Sequence, residues 1–172
     1  LSKSETSYAP TVLRFATAFG LSPRMRFDLT VNHFCYSMFK DHKIEVYDAD
    51  TWRPYCHVRD FSRLIIKVLN SDKEKINRKV FNAGSNQNNF TKEDILNLIL
   101  KKIPNSKIIV KKGGVDRRDY RVSFEKVENE LNFKAKYSVE DGIDEIVNIL
   151  QSDQNKYLKE NALLIRGNFN IL

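Results

Sequence analysis

The order of hydrophobic and polar positions predicts strands and helices that alternate along the chain. A mostly apolar run at 11–17, which stops at Gly20, is typical of a buried strand followed by a turn. Residues 29–39 carry apolar side chains on more than one face and predict a helix. Alternation at 43–47 predicts a half-buried strand that begins a hairpin, with the turn at 48–50.

The middle of the chain predicts two further helices with a strand between them. Residues 58–69 have helical spacing, and Asp60 in the first turn complements the helix dipole. Residues 80–84 predict a short apolar strand that a glycine closes. The segment 91–94 resembles a capping box and precedes the apolar positions of a helix that extends to residue 103.

The last part of the chain predicts two strands and two helices. Strands are predicted at 106–110 and near 120–122, and a helix near 125–131. Ser138 is placed to cap a final amphipathic helix that extends to Leu150. Residues 154–172 are less periodic, and they support no prediction.

These elements together predict an α/β fold. The strands at 12–17 and 80–84 lack strong polar alternation, which favours the covered interior of a parallel sheet over a surface hairpin. Two such strands are too few for a stable parallel sheet. We therefore expect the chain to belong to a longer protein or to associate with another copy or partner.

Charge narrows the class of partner. The 172 residues include 29 Lys and Arg against 22 Asp and Glu, which gives a formal net charge of +7 and a pI near 9.4. Such a surplus favours anionic partners, including nucleic acid and phosphorylated small molecules. The lysine clusters are short and are broken by acids or apolar residues, so nucleic-acid binding is the less favoured hypothesis.

The sequence gives no sign of secretion, membrane insertion or cysteine-based cross-linking. No apolar run approaches the roughly 18–20 residues of a membrane span, and residues 1–5 have no apolar signal-peptide core. Cys35 and Cys56 are far apart and form no C-x-x-C pair. We therefore expect a cytoplasmic protein without a membrane partner.

Common catalytic and metal-binding motifs are absent from the sequence. It has no G-x-S-x-G, no H-E-x-x-H and no glycine-rich phosphate loop. His33, His42 and His57 lack metal-ligand spacing, and His57 fits a packed or capping role. No metal site is predicted.

Five segments occur in an order that carries more information than each of them alone. They include S-K-S-E near the start, a run from Leu13 to Arg24, R-P-Y-C-H-V-R-D from Arg53, V-F-N-A-G-S from Val80 and D-R-R-D-Y-R-V from Asp116. Together they resemble the extended short-chain dehydrogenase/reductase family, in particular its NAD-dependent nucleotide-sugar epimerases and dehydratases. The resemblance covers residues 1 to about 150 and corresponds to the second half of a family member.

The resemblance implies a specific division of the chain. It would be the C-terminal part of a Rossmann-type enzyme, with the last parallel-sheet strands and a small α/β substrate-binding lobe. Residues 1–27 would end the NAD-binding sheet, and 53–89 would return to it. Residues 28–52 and 90–172 would build the two parts of the lobe.

The resemblance also implies where the cofactor would bind. Lys3 stands where the family has the lysine that lowers the pKa of a catalytic tyrosine and holds the nicotinamide ribose. The tyrosine itself would lie two residues before Leu1. The backbone near Ala16 would line the nicotinamide. NAD, or NADP, would be bound mainly by an N-terminal part that this sequence does not include.

Substrate contacts are implied at five positions. Thr17 occupies a family asparagine position that contacts the sugar, and Asn32 matches an asparagine at a helix start that contacts the nucleotide diphosphate. Arg53 matches an arginine that binds the diphosphate, since a guanidinium can bind two oxygens at once. Asp116 and Arg118 fit a late Asp-x-Arg-x-Tyr segment, in which Arg118 would be the second diphosphate ligand.

Some details of this site stay open in the sequence. Arg117, instead of Arg118, could point inward, because neighbouring strand residues face opposite sides. Arg24, Arg26 and Asp28 lie in the loop that would approach the sugar. The family has glycines where Asp48 and Asp50 stand, so the turn at 48–50 could differ in shape.

The resemblance predicts an enzyme that acts by transient oxidation of a sugar carbon and hydride return. Epimerisation is the first hypothesis and 4,6-dehydration the second, and the residues that separate them would lie upstream. This chain alone would be inactive. The implied partners are a nucleotide-diphosphate sugar and a second copy in a dimer. The rival hypotheses are a binding module that has lost the cofactor site and a basic nucleic-acid binder.

Overall fold

The computed structural model describes residues 8–116 and 118–152. Seven strands lie in this part of the chain: β1 Val12–Phe15, β2 Thr17–Phe19, β3 Lys43–Tyr47, β4 Trp52–His57, β5 Val80–Ala83, β6 Asn89–Thr91 and β7 Lys107–Lys111. The six α-helices in the same ranges are α1 Thr30–Asp41, α2 Val58–Leu69, α3 Lys73–Ile76, α4 Lys92–Lys102, α5 Glu125–Leu131 and α6 Val139–Gln151. The α/β class is confirmed.

The strands form three small sheets. β1 pairs with β5 in parallel, as the apolar patterns predicted. β4 lies between β2, which is parallel to it, and β6, which is antiparallel. β3 pairs with β7 in parallel. Because β4 is hydrogen-bonded to a strand on each side, its backbone is held in place, and so are the starting points of the side chains that project from it.

The buried apolar side chains form two hydrophobic cores. The larger joins α1, α4 and α6 around Phe19, Met25 and Tyr55, all of which are fully buried. The smaller packs α2, β5 and α5 around Leu64 and Phe81. The proposed division of the chain between a nucleotide-binding sheet and a substrate lobe stays a prediction.

The predicted helix caps are present. The Thr91 hydroxyl accepts a hydrogen bond from the Asp94 N–H, and the Asp94 carboxylate accepts one from the Thr91 N–H. Ser138 and Asp141 repeat this capping box at the start of α6. The hydrogen bonds from Ser138 hold the pKa of Asp141 below its ordinary value. Each box satisfies two N–H groups that the helix leaves unpaired.

Three local predictions were wrong. The run at 11–17 is two strands that separate at Ala16, and β1 is mostly exposed rather than buried. β3 and β4 do not pair with each other, because β3 binds β7 instead. Residues 120–122 form no strand. The Tyr120 N–H donates to the Trp52 carbonyl oxygen of β4, and the backbone of Val122 bonds to the side-chain amide of Asn89 in β6.

The exposed face beside β1 continues onto α2. Ile65, Ile66 and Leu69 are 42%, 57% and 76% exposed, and Phe15 is 45% exposed. We refer to these four side chains as the α2 face. Exposure of so many large apolar side chains together is unusual on a lone domain. It is in line with the expectation that the chain belongs to a longer protein or associates with another copy or partner.

Candidate functional site

The candidate site is built around Arg53, whose side chain leaves β4 and is almost completely buried. Its Nη1 donates to the Trp52 carbonyl oxygen at 2.8 Å and also to the Arg118 carbonyl oxygen. Its guanidinium carbon lies 5.4 Å from the centre of the Tyr120 ring. Backbone oxygens and an aromatic face therefore fix the guanidinium of Arg53 in position.

Asp116 joins Arg53 to Arg118. Its two carboxylate oxygens accept hydrogen bonds from Arg118 Nε at 2.8 Å and Nη2 at 2.7 Å, and one of them lies 3.1 Å from Arg53 Nη2. Arg118, followed by Arg53, holds the pKa of Asp116 well below its usual range. The structure thus brings together three of the predicted substrate-binding residues around one carboxylate.

Further acids fix the loop that carries Asp116 and Arg118. Asp48 adopts a positive φ of 49°, and its carboxylate accepts hydrogen bonds from the N–H groups of Gly113 at 3.1 Å and Gly114 at 2.8 Å. Asp119 accepts a hydrogen bond from the Trp52 N–H at 2.8 Å. Asp48 therefore takes the conformation that a glycine would have given to this turn, and it adds an anchor that a glycine lacks.

A pocket of about 310 Å³ lies beside this cluster. Arg14, Ala16, Pro54, Asn82 and Tyr120 are among the residues that line it. The predicted nicotinamide-side residue Ala16 and the ring that covers Arg53 therefore face the same space. Thr17 is the next residue after Ala16 and lies on β2 opposite Tyr55 of β4.

The amide of Asn32 is engaged within the protein. Its side chain is 3% exposed, its Oδ1 accepts from the Gly20 N–H at 3.1 Å, and its Nδ2 donates to the Arg26 carbonyl oxygen at 3.1 Å. These bonds hold the loop between β2 and α1. A diphosphate contact at Asn32 stays a prediction, and a structural role is what the hydrogen bonds support.

Other residues singled out in the sequence lie at the edge of the site or outside the described chain. The Arg26 guanidinium forms an ion pair with Asp28, and Arg24 is exposed. Lys3 and Arg117 lie outside the described residues. The roles expected for Lys3 and the alternative choice of Arg117 over Arg118 therefore stay predictions.

His57 ends β4 inside a polar cluster that the sequence only partly predicted. It is fully buried, and its Nδ1 accepts from the Arg59 N–H at 3.1 Å, which confirms the capping role. Its Nε2 then carries the proton and donates to Glu145 at 3.0 Å. The imidazole also stacks on the Tyr137 ring, with 4.6 Å between the ring centres.

Asp60 has a larger role than its place in the first turn of α2 predicted. It is fully buried, and its carboxylate accepts hydrogen bonds from the N–H groups of Lys136 and Tyr137 at 3.0–3.1 Å, and one from Arg63. These bonds tie α2 to a segment 76 residues later. The local sequence contained no signal for them, because both donors are backbone groups.

The described residues make only part of a dinucleotide site. Ala16 presents a small side chain to an open pocket, which fits the edge of a flat ring. Ranges 8–116 and 118–152 contain no glycine-rich turn followed by a helix, which is where a pyrophosphate would be held. Within these ranges no group of acidic, histidine and cysteine side chains could hold a metal ion. No helix in these ranges is long and apolar enough to cross a membrane.

Comparison with known proteins agrees with this partial fit. Residues 2–84 match the profile of the NAD dependent epimerase/dehydratase family. Over 88% of the chain, the fold resembles dTDP-glucose 4,6-dehydratase from Bacillus anthracis in complex with NAD, with 25% identity and a TM-score of 0.72. Two other similar structures are UDP-glucuronic acid 4-epimerase from Bacillus cereus, over 87% of the chain with 21% identity and a TM-score of 0.69, and UDP-glucose 4-epimerase from Thermotoga maritima, over 88% with 21% and 0.67.

The chain spans less than half of each of these proteins: 47% of the dehydratase and 45% and 46% of the two epimerases. Its parallel strands and helices follow their fold, and its profile match extends from residue 2 to the end of β5. As the five ordered segments predicted, residues 2–84 of the chain are similar to the NAD dependent epimerase/dehydratase family, and the fold is similar to that of its dehydratase and epimerase structures.

Proposed function

We propose that this chain forms the nucleotide-sugar-binding part of an NAD-dependent nucleotide-sugar epimerase. The observation that carries the proposal is the buried guanidinium of Arg53, which Asp116 joins to that of Arg118. The Tyr120 ring that lies against Arg53 also lines the pocket of Ala16. Two guanidinium groups at one place suit the two charges of a diphosphate. The similar structures include epimerases and a dehydratase, which supports this class of reaction.

The residues of this chain would bind and orient the substrate. Arg53 and Arg118 would hold the diphosphate, and the rigid position of Arg53 on β4 would fix the distance from the diphosphate to the pocket. Thr17 and Ala16 would lie toward the sugar and the nicotinamide. When bound, NAD supplies a reversible hydride acceptor. Lys3, with a tyrosine upstream, would supply the acid–base pair.

A 4,6-dehydratase is the second candidate. The structure with the highest identity among those compared above is a dTDP-glucose 4,6-dehydratase at 25% identity. The residues that would separate dehydration from epimerisation would lie upstream of this chain. We also propose a cytoplasmic location and a dimer, in which the α2 face is covered by a second copy or by the remainder of a longer protein.

Calorimetry with UDP-glucose, dTDP-glucose and NADH tests the proposal. Arg53→Ala should weaken nucleotide-sugar binding about tenfold or more, since it removes a buried, charge-assisted contact. The matched control is Arg59→Ala, which removes the same charge from a side chain that pairs with Glu145 instead. Circular dichroism would establish that both variants are folded.

The outcomes separate the rival functions. Equal affinity in wild type and Arg53→Ala would remove Arg53 from the site. A chain that binds neither nucleotide sugar nor NADH would be a non-catalytic remnant of the fold. Binding to generic DNA that falls steeply with salt would favour the nucleic-acid hypothesis.

A further inference from the structure

We infer that Asp116 is a built-in competitor for the anion site formed by Arg53 and Arg118, and that a phosphate group binds by displacing its carboxylate from Arg118. The inference rests on the proposed function, and it concerns how the same site is regulated. It assigns Asp116 a role opposite to the direct substrate contact that the sequence resemblance implied.

The contacts of Asp116 are those that a phosphate would make. Its two carboxylate oxygens accept bidentate hydrogen bonds from Nε and Nη2 of Arg118. The oxygen that accepts from Nε also accepts from the Arg118 N–H at 3.1 Å. The same oxygen lies 3.1 Å from Arg53 Nη2. A planar guanidinium offers this pair of donors equally well to a carboxylate and to a phosphate.

The two arginines differ in their freedom to exchange partners. The Arg118 side chain is 70% exposed, and its hydrogen bonds to acids are those to Asp116. The Arg53 side chain is 7% exposed and is fixed by the carbonyl oxygens of Trp52 and Arg118. Arg118 can therefore rotate toward a ligand, whereas Arg53 stays in place.

Electrostatics argues against Asp116 as a diphosphate ligand. An ionised carboxylate within hydrogen-bond reach of both arginines repels a second anion there. Lys92 is affected by the charges of both Arg53 and Asp116. Its pKa is lowered first by burial and then by the charge of Arg53, whereas the charge of Asp116 raises it. Asp116 thus lowers the positive potential that would otherwise draw a ligand, while it keeps the buried Arg53 paired when no ligand is present.

The test is calorimetric titration of the full chain with inorganic pyrophosphate and with UDP. Asp116→Asn keeps the shape of the side chain and removes the charge, so we expect it to bind both probes roughly three- to tenfold more tightly than wild type. Asp116→Glu retains the charge and should not tighten binding. The matched control is Asp50→Asn, an exposed acid of the neighbouring turn that pairs with Lys112; it changes net charge equally and should leave affinity nearly unchanged.

Each outcome has one meaning. Weaker or equal binding by Asp116→Asn, with wild type binding normally, overturns the inference and leaves the proposed function standing. If Asp50→Asn tightens binding equally, the change in net charge alone explains the effect, and the inference is also overturned. If neither wild type nor Asp116→Asn binds pyrophosphate or UDP, both the inference and the proposed function fail.

Discussion

Replacement of Gly20 by alanine should destabilise the protein through a contact with His57. Gly20 follows β2 directly and has a positive φ of 103°, and a Cβ built there would lie 2.2 Å from His57 Nε2. The imidazole cannot swing away without loss of other contacts, because both ring nitrogens are engaged and one ring face stacks on Tyr137. Phe19 also closes the space, with its ring centre 5.2 Å from that of the imidazole.

The size of the effect follows from two separate penalties. A side chain held at a positive φ costs about 1–2 kcal/mol, and an inserted carbon in a well-packed core typically costs about 1–3 kcal/mol. Their sum is about 2–5 kcal/mol of the free energy of unfolding. At about 2–4 °C per kcal/mol for a chain of this size, we expect a fall in melting temperature of roughly 4–20 °C.

Gly113→Ala separates the two penalties. Gly113 also has a positive φ, 85°, but a Cβ there meets no atom within 4 Å. It should lose about 1–2 kcal/mol, from the backbone alone. Urea unfolding followed by circular dichroism measures both variants against wild type. If Gly20→Ala loses no more than Gly113→Ala, the His57 cluster is not packed against Gly20 and the reasoning is refuted.

Two further predictions concern pH and association. Burial raises the pKa of Tyr55 to about 12 from an ordinary value of 10, so its contribution to stability is complete below pH 10 and is lost as the pH rises through 12. Tyr55→Phe should therefore lose less stability than wild type between pH 10 and 12 in urea titrations; parallel losses would contradict the assignment. The α2 face should make the chain a dimer or a larger oligomer, which sedimentation velocity would detect. Ile66→Glu should lower the mass of the sedimenting species. A monomeric wild type with a sharp melt would show that the face does not need to be covered by another chain.

Sequence patterns predicted the helices better than the strand pairing. The helices at 30–41, 58–69, 92–102 and 139–151 lie close to their predicted positions, because amphipathic spacing and capping residues are local signals. Pairing of β3 with β7 joins residues more than 60 positions apart, and no local pattern encodes that choice. The exposure of β1 was missed for a similar reason. An apolar pattern predicts that a strand is buried, but it does not show which residues would pack over it.

The candidate site shows the same division. Arg53 and Arg118 were found because the five segments carry them in order, and the structure does bring them together. Asp60 and Glu145 were not predicted as anchors, since their partners are backbone N–H groups or side chains distant in sequence. Long-range polar contacts of this kind depend on the folded arrangement and have no periodicity that a sequence would reveal.

Acidic residues, more than the basic surplus, determine how the site is arranged. Asp48, Asp119 and Asp60 each direct a carboxylate at backbone N–H groups across large sequence separations, and such charge-assisted bonds are among the stronger ones available. Because their carboxylates bind these backbone groups, these three acids do not pair with Arg53 or Arg118. Asp116 differs, since its carboxylate is shared between Arg118 and Arg53. A site meant to bind an anion needs its cations held in place but still available, and an exchangeable carboxylate meets both needs.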